Sequence, residues 1–113
     1  MHRLLEGAGL AVDGFDNHES RLAVAEQCRT ARIPCLHVGL SADYAEVIWN
    51  DGYRVPGDSA EPGANACDYP LARNLIQFAV ALASEAILRF LLEGRQRSYS
   101  FTLRDLQINV EVA

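Results

Sequence analysis

Three residues with types and spacing suited to chemistry are Asp16, Asn17 and Arg21. They follow an apolar run at residues 10–13, which is typical of a buried strand, and they lead into residues 18–32, which have the periodicity of an amphipathic helix. A strand of this kind delivers an aspartate to the carboxyl edge of a sheet, where open α/β sheets bind their ligands. A metal ion with its phosphate partner is the chemistry that such an edge would hold.

An ordinary structural role is the alternative for each of these three side chains. Aspartate and asparagine favour turns and helix caps, so Asp16 and Asn17 could do no more than begin the helix. An arginine on the first helical turns is usually solvated or paired with a nearby acid, which is the alternative for Arg21. Both interpretations stay open on these residues alone.

Cys67 is the candidate nucleophile of the sequence. It lies between a loop at residues 56–66, rich in proline and glycine, and a predicted helix from about Tyr69 to Glu93. The positive end of a helix dipole favours a thiolate, although the negative charge of the neighbouring Asp68 opposes it. A loop cysteine without a chemical role is the alternative.

Several other polar or thiol side chains within apolar runs are predicted to pack in the core. Cys28 and Cys35 lie in apolar patterns, as buried structural cysteines do. His37 stands between two apolar residues and is expected to be a hydrogen-bonded core histidine rather than a ligand. Trp49 and Tyr53 flank a turn signal and are expected to pack, with contact to a protein partner as the alternative.

The order of helix and strand signals predicts an α/β fold with a mixed sheet around a long buried helix. A strand at residues 33–39 completes a β-α-β unit with the first strand and helix, and its continuous apolar character is typical of a parallel sheet. Apolar side chains nearly encircle the long helix, which predicts packing on several sides, and Gly94 ends it. The remaining predicted strands fall at residues 44–49, 53–55, 98–103 and 106–112, the first two as an antiparallel hairpin.

Composition indicates a single domain over residues 1–113 and limits its partners. Half of the residues are apolar, which is enough for a core without disulfides or metal. The net charge of -5 argues against nucleic acid. Three widely spaced cysteines fit neither a disulfide framework nor paired metal ligands, so we expect a reducing, cytoplasmic location. The apolar zone at residues 71–92 contains six polar side chains, so we expect no membrane span.

The order of these signals resembles the carboxyl-terminal half of the ThiF/MoeB/HesA family, the adenylyltransferases related to ubiquitin-activating enzymes. The run Val-Asp-Gly-Phe-Asp-Asn at residues 12–17, with Arg21, is similar to the Asp-Asn-x-x-x-Arg signature of that family. Further similarities are the Ile33-Pro34 pair, the strand that ends at Gly39, Cys67 before the long helix, and the segment from Tyr99 to Asp105. The resemblance covers nearly the whole chain and implies a Rossmann-like, ThiF-type fold.

The resemblance also implies an enzyme that binds ATP and magnesium and adenylates the carboxyl terminus of a ubiquitin-like or sulfur-carrier protein. Asp16 would then organise Mg²⁺ and the phosphates, since this ion prefers oxygen ligands, and Asn17 and Arg21 would support the same edge. Cys67 occupies the position of a cysteine that becomes linked to the carrier protein in several branches of the family. Such enzymes commonly form dimers, so a homodimer is expected as well.

The sequence departs from this family in two respects. The glycine-rich nucleotide loop has no counterpart here, since Gly7-Ala8-Gly9 comes directly before a strand, and the paired Cys-x-x-Cys zinc ligands are absent, so no structural zinc is expected. We therefore expect a fragment, a truncated product or one half of a split enzyme, inactive until an amino-terminal half complements it. The alternatives are a non-catalytic, degenerate domain that binds a carrier protein or a complete homologue, and a thiol enzyme that uses Cys67 without ATP.

Overall fold

The computed structural model describes residues 2–15, 17–41, 43–50 and 72–112. Helices and strands follow one another in this part of the chain as α1 His2–Leu5, β1 Ala11–Asp13, α2 His18–Ala31, β2 Cys35–Ser41, β3 Tyr44–Trp49, α3 Ala72–Glu93, β4 Arg97–Thr102 and β5 Gln107–Val112. The predicted loop at residues 56–66 and the predicted strand at residues 53–55 lie outside the described residues.

Within the described residues the sheet has five strands in the order β1-β2-β3-β4-β5, and it is mixed as predicted. β1 and β2 are parallel and are joined through α2, so the predicted β-α-β unit is confirmed. The three remaining pairs are antiparallel. β3 pairs with β2 on one edge and with β4 on the other. The predicted hairpin between β3 and residues 53–55 stays a prediction, since its second strand lies outside the described residues.

Side chains that alternate along the strands divide the molecule into two cores. On one face of the sheet, α2 packs against a small cluster formed by Ala11, Val24, Cys28 and Cys35. On the other face, α3 covers β2, β3 and β4 through a larger cluster that includes Leu36, Val47, Trp49, Leu75 and Phe101. The indole ring of Trp49 also lies against Phe90, with ring centroids 4.9 Å apart. The expected packing role of Trp49 is therefore confirmed.

Local backbone signals fix the ends of both long helices. Asn17 caps α2, since its side-chain oxygen accepts a hydrogen bond from the Ser20 amide at 2.8 Å, as the sequence predicted. Arg32 follows α2 in the left-handed conformation, at φ 57°. Gly94 follows α3 at φ 72° and donates its amide to the Phe90 carbonyl at 2.9 Å. Glycine takes this conformation without the steric cost that other residues meet, which explains why the helix ends there.

The long helix α3 is buried along one face only. Leu75, Ala79 and Ala86 are at most 2% exposed, whereas Leu91 is 63% exposed and Leu92 82%. The prediction that apolar residues all round this helix mean packing on several sides is therefore wrong for the part of the chain that the structure describes. A sheet covers a single stripe of a helix, so the remaining apolar residues of α3 face away from it.

By length and composition alone, residues Arg73–Glu93 are apolar enough to cross a membrane. This corrects the expectation that the segment is too polar for such a role. Core helices meet the same criterion, and the stripe that contains Leu75 and Ala79 packs on the sheet. In the structure, α3 therefore serves as a layer of the α/β fold.

Candidate functional site

A buried polar cluster lies where β1 ends beside the middle of β2. Asp13 ends β1 and lies beside His37 of β2 in the parallel register, with both side chains on the face that α2 covers. The Asp13 side chain is completely buried, and His37 is 1% exposed. A buried carboxylate needs partners for its charge and its lone pairs, and this one has several.

Asp13 is held by a cation, an imidazole and a backbone amide. Its Oδ2 accepts a hydrogen bond from Arg21 Nη1 at 3.2 Å and lies 2.6 Å from His37 Nδ1. Its Oδ1 accepts from the amide of Phe15 at 2.9 Å. The last contact closes a turn directly after β1, so the carboxylate ties the strand to the segment that carries the Asp-Asn motif.

Arg21 lies inside this cluster rather than in solvent, with 9% of the residue exposed. While Nη1 reaches Asp13, Nη2 donates to the Val38 carbonyl at 2.6 Å. Gly39 follows in β2, and a side chain added there would lie 3.6 Å from Glu46 Cγ and 3.9 Å from Arg21 Nη2. The arginine thus joins α2 to the carboxyl end of β1 and to the middle of β2.

His37 continues the cluster toward the end of β3. Its Nε2 lies 2.7 Å from Oδ1 of Asn50, and Nδ2 of Asn50 donates to the Ala25 carbonyl at 3.3 Å. Because the amide of Asn50 is oriented by that carbonyl, both ring nitrogens of His37 face oxygen acceptors. A connected path therefore runs from Arg21 through Asp13 and His37 to Asn50, and the prediction of a hydrogen-bonded core histidine is confirmed.

The electrostatics of the cluster favour an ionised Asp13. Burial raises the pKa of this carboxyl, but the hydrogen bond with His37, the bond from the Phe15 amide and the charge of Arg21 outweigh burial and bring the pKa below its usual value. Asp13 is therefore a carboxylate at neutral pH. Its lone pairs are engaged by these three partners, which suits a structural anchor better than a metal ligand.

The residues proposed from sequence are only partly brought together by the described structure. Arg21 lies at the carboxyl edge, and Asn17 lies there as the cap of α2. Asp16 and Cys67 lie outside the described residues. Among the described residues, no group of three or more His, Cys, Asp or Glu side chains is arranged to hold a metal ion.

The sequence interpretation missed the anchoring role of Asp13. A usable signal was present, since Ala11 and Asp13 alternate with Val12 on a short strand. An aspartate on the covered face of a strand requires a cation from the covering helix, and Arg21 is the arginine in the first turns of α2. The neighbouring motif residues Asp16 and Asn17 obscured this relationship.

Comparisons with known proteins identify the fold. No family profile and no curated protein sequence matches the chain. A crystal structure of Escherichia coli MccB with MccA-N7isoASN matches 99% of this chain and 41% of MccB, at 15% identity and a TM-score of 0.57. MccB with ATP matches 99% of this chain and 39% of MccB, at 16% identity and a TM-score of 0.57. PaaA matches at 10% identity, with 98% of this chain, 37% of PaaA and a TM-score of 0.58.

The chain thus spans about two fifths of the length of these structures. At such identities the likeness shows the fold alone. This chain has the Rossmann-type α/β fold of part of MccB and PaaA.

Proposed function

We propose that this chain is the carboxyl-terminal part of an ATP-dependent adenylyltransferase that activates the carboxyl terminus of a small carrier protein or peptide. The observation that carries the proposal is the buried pair of Asp13 and Arg21, which anchors the segment between β1 and α2 at the carboxyl edge of the parallel strands. Ligand sites of open α/β sheets lie at this edge. The anchored segment contains the motif that resembles the ThiF/MoeB/HesA signature.

Phosphate recognition is supported by the start of α2. Asn17 caps this 14-residue helix, so its first turn begins at the edge of the sheet where Arg21 binds Asp13. The backbone amides and the positive dipole end of a helix attract phosphate oxygens. The neighbour MccB has been crystallised with ATP, which agrees with a nucleotide as the ligand of such a fold.

Magnesium would be held by Asp16 and the phosphates of ATP. Asp13 is engaged by three partners inside the protein, so the role of metal ligand is assigned to the second aspartate of the motif. One or two carboxylates with substrate phosphates commonly complete the coordination of Mg²⁺, and this donor set fits the ion. The ion would neutralise negative charge as pyrophosphate leaves.

The acceptor of the adenylyl group is proposed to be a terminal carboxylate of a ubiquitin-like protein, a sulfur carrier or a smaller peptide. MccB has been crystallised with MccA, which supports a peptide or small protein as the partner class. If a thioester follows, the nucleophile is Cys67, whose sulfur would attack the acyl carbon of the adenylate and release AMP.

The chain is proposed to work with a complementing half or with a second copy. Val12 of β1 lies on the opposite face of the sheet from α2, which is the face that α3 covers at β2, β3 and β4. Its side chain is 51% exposed. Val80 and Leu88 of α3 are 58% and 51% exposed. Apolar side chains exposed in this way are what a second polypeptide would cover.

Calorimetric titration of the purified chain with ATP, with and without Mg²⁺, tests the nucleotide site. The variant Asp16→Asn removes the proposed metal ligand, and Glu26→Gln on the exposed side of α2 is the matched control. Mg²⁺-dependent binding that is lost in Asp16→Asn and kept in Glu26→Gln supports the proposal. Equal binding by all three proteins contradicts the role of Asp16.

A folded sample that binds no ATP would support a half-site that needs the complementing half. The next titration would then use a ubiquitin-like protein with a free carboxyl-terminal glycine. Binding of that protein without any effect of ATP favours a non-catalytic docking domain over the enzyme.

A further inference from the structure

A cavity opens on the α2 side of the sheet, at the start of the two parallel strands. It measures about 280 Å³, close to the lower end of the roughly 300–1,000 Å³ that is typical of small-molecule sites. The described residues that line it belong to the end of α2, the turn that follows, the start of β2, the end of β3 and the segment before β4. The cavity therefore collects side chains from several elements at one place.

The nonpolar part of the cavity wall comes from the small core beneath α2. Cys28 and Cys35 are completely buried in that core, so the packing expected for both from the sequence is confirmed. Ile33 and Pro34 extend the same surface along the turn between helix and strand. A wall of this kind favours a ligand that carries a nonpolar group.

Two arginines supply the charge of the cavity wall. Arg29 lies in the last turn of α2, Arg32 directly follows the helix, and both are exposed. Among the described residues, no carboxylate lies within ion-pair distance of either guanidinium, and the described lining residues include no acid. On a chain with a net charge of -5, this wall is a local region of positive charge.

The end of α2 does not use the donors of these guanidinium groups. The Arg32 amide donates to the Arg29 carbonyl at 3.4 Å, and the Ile33 amide donates to the Cys28 carbonyl at 2.8 Å. Backbone amides thus satisfy carbonyls that basic side chains bind at other helix ends. Within the part of the chain that the structure describes, neither guanidinium donates to a protein acceptor. Their planar sets of donors match the paired oxygens of a carboxylate or a phosphate.

Two side-chain amides complete the polar part of the wall. Gln96 precedes β4, and Asn50 follows β3. The amide of Asn50 is held in place, since its Nδ2 donates to the Ala25 carbonyl at 3.3 Å and its Oδ1 lies 2.7 Å from His37 Nε2. An amide nitrogen carries two donors, so both side chains offer hydrogen bonds to the oxygens of a ligand.

We propose that this cavity binds a small organic anion, with its oxyanion group at Arg29 and Arg32 and its nonpolar part against the wall around Cys35. The oxyanion is a carboxylate or a phosphate, because both accept paired hydrogen bonds from a guanidinium. This site is separate from the proposed ATP site. Cys35 begins β2, whereas Asp13 and His37 lie level with each other where β1 ends.

Titration of the purified chain with inorganic phosphate, phenyl phosphate and benzoate, followed by amide NMR spectra, tests the site. We expect the amides of residues 28–33 and of Gln96 to shift. One of the two aromatic anions should bind more tightly than inorganic phosphate, and the tighter one identifies the oxyanion. Shifts confined to residues 17–21 would place the anion at the start of α2 and overturn the proposal. Equal affinity for all three anions would overturn the role of the nonpolar wall.

The variants Arg29→Gln and Arg32→Gln each remove one cation from the cavity wall. Arg73→Gln, at the exposed start of α3, makes the same change in charge elsewhere and is the matched control. Each cavity variant should bind the tighter aromatic anion about tenfold more weakly, as expected for the loss of one charge-assisted hydrogen bond, and the control should bind it unchanged. Circular dichroism should show the same helix content in all variants, since the replaced side chains are exposed. Equal affinities of the cavity variants and the control overturn the proposal.

Discussion

Asp13 Oδ2 and Arg21 Nη1 lie 3.2 Å apart in the interior, where Asp13 is fully buried and Arg21 almost so. The aspartate ends β1 and the arginine belongs to the first turns of α2, so this ion pair links a strand to the helix that follows it. The same carboxylate binds the Phe15 amide and thereby fixes the start of the connecting segment. The proposed ATP site depends on this link.

Replacing Asp13 by Asn should destabilise the chain by about 3 kcal/mol, because Arg21 would keep a buried charge without a counter-ion. The free energy of unfolding in urea measures this loss. Glu85→Gln is the control, since it removes a carboxylate from an exposed pair with Arg89 on α3 and should leave the unfolding midpoint nearly unchanged. Equal midpoints for Asp13→Asn and the unsubstituted chain would contradict the anchoring role.

The pKa of Asp13 predicts how stability responds to acid. Its folded pKa lies below the unfolded value of about 3.9, because the bonds with His37 and Phe15 and the charge of Arg21 outweigh the effect of burial. The stabilisation is therefore fully present above the unfolded pKa and is lost as pH falls through the folded one. Unfolding free energies measured between neutral pH and pH 3 should fall more steeply for the unsubstituted chain than for Asp13→Asn. Parallel curves would show that Asp13 does not titrate in this way.

Asn17→Ala should lower the unfolding free energy by about 1 kcal/mol, since the Ser20 amide would lose its capping acceptor. Asn17→Ser restores a side-chain oxygen at the cap and should recover most of that loss. Urea unfolding followed by helical circular dichroism compares the three proteins. If the serine and alanine variants are equally destabilised, the cap is not the source of the effect.

The two faces of α3 should respond differently to truncation. Leu75 is fully buried against the sheet, so Leu75→Ala should cost about 2–5 kcal/mol. Leu92 is 82% exposed, so Leu92→Ala should leave the stability of the isolated chain nearly unchanged. Thermal unfolding of both variants at low protein concentration measures the difference. A large loss in Leu92→Ala would mean that a second copy covers this end of the helix under those conditions.

The sequence by itself determined β1 to β5 and the two long helices, with their order. Periodicity identified α2 and α3, the alternation of polar and apolar residues identified β4 and β5, and Asn17 and Gly94 marked helix ends, because these signals depend on residues close together along the chain. The β-α-β unit followed from the same local signals. The resemblance of residues 12–17 to a known motif pointed to the edge of the sheet at which Asp13 and Arg21 meet.

Tertiary structure alone decided which side chains meet at that edge and which apolar faces are covered. The convergence of Asp13, Arg21, His37 and Asn50 depends on the parallel register of β1 with β2 and on the placement of α2 over them. The exposure of one side of α3 likewise depends on how much of a helix one sheet can cover. Contacts between residues far apart in sequence arise from packing. A local sequence pattern does not show which distant residues come together.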